Sequence, residues 1–402
     1  MQPILNNNNR ITFGGFLAYF VMSAVISPLG LVSRPVATHF DISITTATSA
    51  FTYLTTGVLI GTTIAVFIFD FLRLKQIIVG AAVLICLSIY AIYAVDSFTV
   101  FALALAVIGT SCGVQLSAAA VVISKIYDER LRASMLLLTD SFYSIAGVAS
   151  TSVAGVLLAR QFHWSSAYLM AFIATVGITV IALTARYPAT GRYLNEQPRA
   201  SADKYWPAGV HLVGLSMLIY LVGFVSIYSW VPNYAQEVLG AGVEASGEIV
   251  SRMFLGMFAG QLVMFVLVLR LPLRPLIVVY SIMAASLTVS LWTVRTAPQL
   301  EIAMLVLGLA TGGLFKTILT YGTLQVKDPS PRMVSYLIFY AGFGTAIAPF
   351  VSSFIVERRD MAGALQFATI CYFLTLGLVL VAQRLQSRRL AMQVGGSGES
   401  VE

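Results

Sequence analysis

Gly57-Val58-Leu59-Ile60-Gly61 recurs as Gly256-Met257-Phe258-Ala259-Gly260, 199 residues further along the chain. At the same offset of 199, Gly109 and Gly113 match Gly308 and Gly312, and at 197 Phe142-Tyr143 with Gly147 matches Phe339-Tyr340 with Gly344. One pair of closely spaced glycines is weak evidence, because small residues recur wherever transmembrane helices pack tightly. Three recurrences in register indicate a duplicated unit.

Each motif lies inside an apolar run. Of 402 residues 58% are apolar and 10% charged, whereas an ordinary soluble domain carries roughly 25% charged residues. Runs of about 20 apolar residues, enough to cross a bilayer as helix, follow one another near 11–33, 43–69, 76–95, 98–124, 134–159, 166–185, 208–231, 245–269, 275–294, 300–324, 333–355 and 363–383. These twelve predict helices, since a lipid-exposed backbone must satisfy its hydrogen bonds within the segment and the alternation of a barrel strand is absent. The fold expected is an all-α membrane protein of twelve transmembrane helices in two six-helix bundles. The N-terminus is polar up to Asn9 and leads into a full-length span without a cleavage site, so the first helix should be retained.

The longest polar stretch divides the spans six and six. It predicts a first bundle over 1–185, a cytoplasmic linker over 186–207, a second bundle over 208–385 and a cytoplasmic tail over 386–402. With the N-terminus inside, seventeen basic residues flank the spans on the inner side, among them Arg10, Arg73, Lys75 and Arg186. Five, Arg34, Arg160, Arg295, Arg358 and Arg359, fall outside. This bias places both termini in the cytoplasm of a bacterial cell. The net charge of +7 then belongs beside an anionic leaflet rather than on a nucleic acid.

Cys86, Cys112 and Cys371 lie in separate spans and read as small buried apolar residues. With His39, His163 and His211 equally scattered, neither a metal cluster, a cofactor site nor a catalytic triad can be assembled, so no enzyme is expected.

Asp70-Phe71-Leu72-Arg73-Leu74-Lys75, between spans 2 and 3, resembles the acidic and basic signature loop of the major facilitator superfamily without its glycine. The segments Thr139-Asp140-Ser141-Phe142-Tyr143-Ser144, Ser229-Trp230-Val231-Pro232-Asn233-Tyr234-Ala235 and Lys327-Asp328-Pro329-Ser330-Pro331-Arg332 are similar to TsgA-type permeases, a branch near the fucose and proton symporters. The resemblance runs from about Asn9 to span 12. It implies two halves related by an axis along the membrane normal with a solute site between them, and a gating loop at Asp70, Arg73 and Lys75. Fucose-type symporters place carboxylates in spans 1 and 4; here span 1 has no acid and the matching position in span 4 is Gln115.

Charge inside a span is costly, so it usually faces a cavity or a partner. Asp140 in span 5 is either a proton-carrying acid or a structural one. Lys316 in span 10 lines a cavity or snorkels. Arg252 in span 8 faces a solute or pairs with Glu248 one turn away, while Glu301 starts span 10 and should be solvated. Gln115 touches a polar ligand or holds helices together, and Tyr143 and Tyr340 line a pocket or pack. Asp140 and Lys316 stand at similar depths and are expected to pair across the halves, closing the cytoplasmic side.

These readings converge on a monomeric secondary transporter that moves a small polar solute with protons across the lipid bilayer by alternating access. Two buried bases beside few acids favour an anionic solute. Span 5 lacks a glycine-proline antiporter signature, but export of a metabolite or drug remains the alternative within this class. A solute-binding receptor that transports nothing is the alternative outside it.

Overall fold

The computed structural model describes residues 2–127, 129–188, 206–326 and 331–396. Helices α1 (Gln2–Ile26) and α2 (Leu29–His39) form span 1 and its extension, and α3 (Ile44–Ser49) with α4 (Phe51–Phe71) forms span 2. Spans 3, 4 and 5 are α5 (Leu74–Ala94), α6 (Phe98–Ile126) and α7 (Glu129–Ala159); α8 (Leu169–Thr184), entered through a 3-10 turn, is span 6. The second half repeats the order with α9 (Ala208–Glu237), α10 (Val243–Arg270), α11 (Leu273–Thr293), α12 (Ala297–Thr311) with α13 (Leu314–Thr323), α14 (Pro331–Arg358) and α15 (Met361–Gly396). Twelve segments among the described residues are long and apolar enough to cross a membrane, and none of those residues forms a strand. The expected linker lies mostly outside the described residues. The end of the molecule bearing α1's start and the residues around that linker is termed the linker face; the other is the distal face.

Three helix boundaries differ from the sequence expectation. Span 1 breaks after Ile26, because Pro28 has no N–H to continue the ladder, and Ser27 Oγ bonds back to Ser23 O at 2.7 Å. Span 10 breaks at Gly312-Gly313, where two residues of low helix propensity meet. The last helix runs on through Gly396 instead of ending at 383.

The repeated glycines are the same contact made twice. A Cβ on Gly57 would lie 2.5 Å from Ala106 O, and one on Gly61 would fall on Thr110 O. In the second half, Cβ atoms on Gly256 and Gly260 would fall on Leu305 O and Leu309 O. Only a bare Cα lets these backbones approach so closely, as in other small-xxx-small pairs. Span 2 is thereby held to span 4, and span 8 to span 10. The third recurrence is not a shared contact: Gly147 faces the Phe254 ring of the other half, whereas Gly344 faces Leu218 O within its own.

The halves meet toward the distal face. Residues 21–33 of the first half and 222–235 of the second are buried all round. Gly30 packs against the Tyr228 and Ser229 carbonyls, Asn233 Nδ2 donates to Gly30 O at 2.9 Å, and Arg34 pairs with Glu237. Ser152 donates to Ser251 at 3.0 Å and Thr55 to Ala346 O at 3.1 Å. Nearer the linker face, α9 exposes His211 and Leu215, α14 exposes Ile338 and Phe339, and α1 exposes Phe13. Most hydroxyls on the spans bond back to a carbonyl of their own helix, as Thr110 does to Ala106 O, Ser226 to Val222 O and Thr345 to Ala341 O.

Candidate functional site

Asp140 lies about three turns into α7, on the face that looks toward the second half. Lys316 sits in the first turn of α13, just past the glycine break. Lys316 Nζ lies 3.1 Å from Asp140 Oδ2, so the expected pair is present. The lysine side chain is 50% exposed and the aspartate 20%.

Two aromatic groups, Tyr19 and Phe315, stand beside the pair, and others lie along the same helices. The Tyr19 hydroxyl bonds with Thr139 and lies within electrostatic reach of both charges. Phe142 stacks on Phe16 with centroids 4.8 Å apart and meets Phe13 edge-on at 6.0 Å. Tyr143 lies 6.3 Å from Phe254 across the halves, and Lys316 Nζ is 5.9 Å from the Phe315 ring centre. Thr139 was hidden in the sequence because a threonine in a span is ordinary; its only signal is its place beside Asp140.

Other sequence-derived candidates go elsewhere. Arg252 Nε bonds Glu301 Oε1 at 2.8 Å, so its partner is not Glu248 and Glu301 is not simply solvated. The reason is the close approach of spans 8 and 10 at their glycines, which brings a residue of another span nearer than one on the same helix. Gln115 is 2% exposed and lines a small pocket within the first half, with Gly14, Gly15 and Tyr187. Neither polar atom of its amide has a protein partner. It therefore does not face the space between the halves. Tyr340 shares a hydrogen bond with Tyr336 at 3.0 Å, and Tyr336 with His211 at 2.8 Å, in a cluster of the second half that does not include the ion pair.

In the expected gating loop, the Asp70 side chain lies outside the described residues. The Arg73 backbone N–H donates to Gln76 Oε1 at 3.2 Å as α5 begins. Lys75 Nζ donates to Leu183 O at 2.8 Å, satisfying a carbonyl at the end of α8. That bond stays within the first half. The segment Lys327 to Ser330 lies outside the described residues. Asn233, within the quoted segment from Ser229, is the residue that holds Gly30 at the distal seal.

A second polar cluster sits at the distal face. His39 Nε2 and Asp96 Oδ1 are 2.8 Å apart, and the His39 and His163 rings 5.6 Å. Burial, and next the neighbouring His39, lower the His163 pKa from its ordinary 6.5, with Asp96 opposing. Among the described residues no group of three or more His, Cys, Asp or Glu is placed to hold a metal.

The chain is similar over nearly its full length to known proteins. A TsgA homolog of Yersinia enterocolitica is 26% identical over 382 residues, covering 94% of this chain and 96% of the relative. FucP, crystallised in the outward conformation, superposes with a TM-score of 0.64 at 15% identity over 92% of this chain and 98% of its own. The human organic anion transporter MFSD10 superposes with a TM-score of 0.66 at 13% identity, over 92% and 99%. These two show the fold. The sequence profile of the Major Facilitator Superfamily matches residues 11–349, a match that takes in both glycine repeats and both members of the ion pair, and the chain belongs to that superfamily.

Proposed function

We propose that the chain is a secondary active transporter of the inner membrane that moves a small polar, anionic solute by alternating access, coupled to protons. The observation that carries this reading is the Asp140–Lys316 pair, which joins the two halves on the linker side of the distal seal. A solute anion that binds Lys316 competes with Asp140 for the same ammonium. A carboxylate released from its cation holds a proton more tightly. Solute binding at Lys316 and proton binding at Asp140 therefore favour one another, which is the reciprocity that coupled transport requires.

The basic residues flanking the spans support a cytoplasmic linker face and cytoplasmic termini. On that orientation the sealed distal side makes this the inward-facing state. The bundles are taken as 1–185 and 208–385, joined by 186–207, with 386–402 as the tail.

Reconstitution in liposomes tests the reading. With an imposed pH gradient and a panel of solutes, one solute should cross together with protons, followed by internal pH. No proton-coupled movement of any solute by folded wild-type protein, across anions, sugars and amines, would refute it.

A further inference from the structure

We propose, resting on the transporter reading above, that the solute is a monocarboxylate with a flat apolar body, and that its carboxylate takes the place on Lys316 that Asp140 holds here. Charge, access and lining each point to this class.

Among the described residues the site holds one cation and one anion. Lys316 is the cation described at the pair, and Arg252, the other basic residue well inside a span, is already matched by Glu301 at 2.8 Å. A solute with one negative charge leaves the site neutral once Asp140 is protonated. A dianion would bring a second charge with no partner, a heavy penalty in a poorly hydrated cleft. An ammonium also suits a single carboxylate, while a planar bidentate fork, which phosphate recognition often uses, is absent from the pair.

Access favours the same exchange. Lys316 is the more exposed partner at 50% and Asp140 the more sheltered at 20%. An incoming anion meets the ammonium first, and the aspartate it displaces is left beside Tyr19 and Thr139. The remainder of the solute then meets rings that stand beside the charges: Tyr19, within electrostatic reach of both, and Phe315, whose centre is 5.9 Å from the ammonium. Aromatic faces favour a flat apolar body by stacking and edge contacts. A sugar would leave its hydroxyls without enough partners among them.

The test uses purified full-length protein and four probes: hippurate, an aromatic monocarboxylate, with succinate, inorganic phosphate and glucose. Hippurate should raise the thermal midpoint. Lys316→Gln should weaken hippurate binding about ten-fold or more, the loss of one charge-assisted contact. Asp140→Asn, which removes the competing carboxylate, should retain or tighten that binding. Lys316→Arg, which keeps the charge, guards against misfolding of the glutamine variant and should bind within a few-fold of wild type. Succinate or phosphate binding better than hippurate, or hippurate binding unchanged in Lys316→Gln, would overturn the proposal. Liposomes separate the two readings. Proton-coupled movement of glucose without hippurate binding rejects the solute class and keeps the transporter, whereas lysine-dependent hippurate binding with no movement keeps the site and rejects transport.

Discussion

Lys316 Nζ and Asp140 Oδ2 stand 3.1 Å apart, and the contact joins α13 of the second half to α7 of the first. Its partners are unequally sheltered, the lysine half open and the aspartate recessed. An ion pair of this kind can be entered from one side by a third charged group, which a fully enclosed pair would exclude.

Breaking the pair should lower stability and uncouple transport. Removing one member of a buried pair costs about 3–5 kcal/mol, and partial exposure of Lys316 reduces that to about 1–2 kcal/mol here. Asp140→Asn and Lys316→Gln should each lower the thermal midpoint, and the double variant should lose less than their sum. Simple additivity, together with no recovery on exchanging the two charges, would show that the residues do not interact.

The distal contact between Arg34 and Glu237 should trap one state when made covalent. In a background lacking Cys86, Cys112 and Cys371, the pair Arg34→Cys and Glu237→Cys should be bridged by a short bis-methanethiosulfonate reagent and stop turnover, with recovery on reduction. A cross-linked protein that still transports at the wild-type rate would mean that these ends do not separate during the cycle.

Gln115→Met should leave transport intact and stabilise the protein by about 1 kcal/mol, since a buried polar group without a partner costs about 1–3 kcal/mol. Thermal unfolding and solute uptake measured together decide this. Loss of uptake with retained stability would return Gln115 to the solute site.

Gly61→Leu and Gly260→Leu should each reduce the yield of folded protein, because overpacking costs about 1–3 kcal/mol and backbone cannot step aside as a side chain can. Gly80→Ala, where an added Cβ meets nothing within 4 Å, is the control. Equal yields from all three would dismiss the close-approach explanation of the repeat.

Acid should loosen the distal cluster. The His163 pKa is depressed in the folded protein, so its contribution is fully present above the ordinary value of 6.5 and is lost as pH falls through the lowered value. Thermal midpoints measured from pH 7.5 downward should drop more for wild type than for His163→Gln. Parallel curves would remove His163 as the cause.

Spans, the duplicated unit and the depth of Asp140 and Lys316 were legible because each depends on spacing along one helix or on an offset between halves. Partners between spans were not. Arg252 has an acid one turn away in sequence, yet a glycine contact elsewhere brings Glu301 closer. Gln115 sits among small residues that suit either a cleft or a bundle interior, and only the rotation of α6 decides which. Likewise Asn233 reads as one more polar residue near a span end until Gly30, some 200 residues earlier, is seen against it.

The habit of span hydroxyls to bond within their own helix bears on speed. Thr110, Ser226 and Thr345 carry their hydrogen bonds with them wherever their helices go. Neighbouring helices in such places meet through van der Waals contacts, whose attraction is weak atom by atom and has no preferred direction. Sliding one past another then passes over a low, smooth series of steps. The interior is lubricated, and the few directional bonds at the distal seal act as its detents.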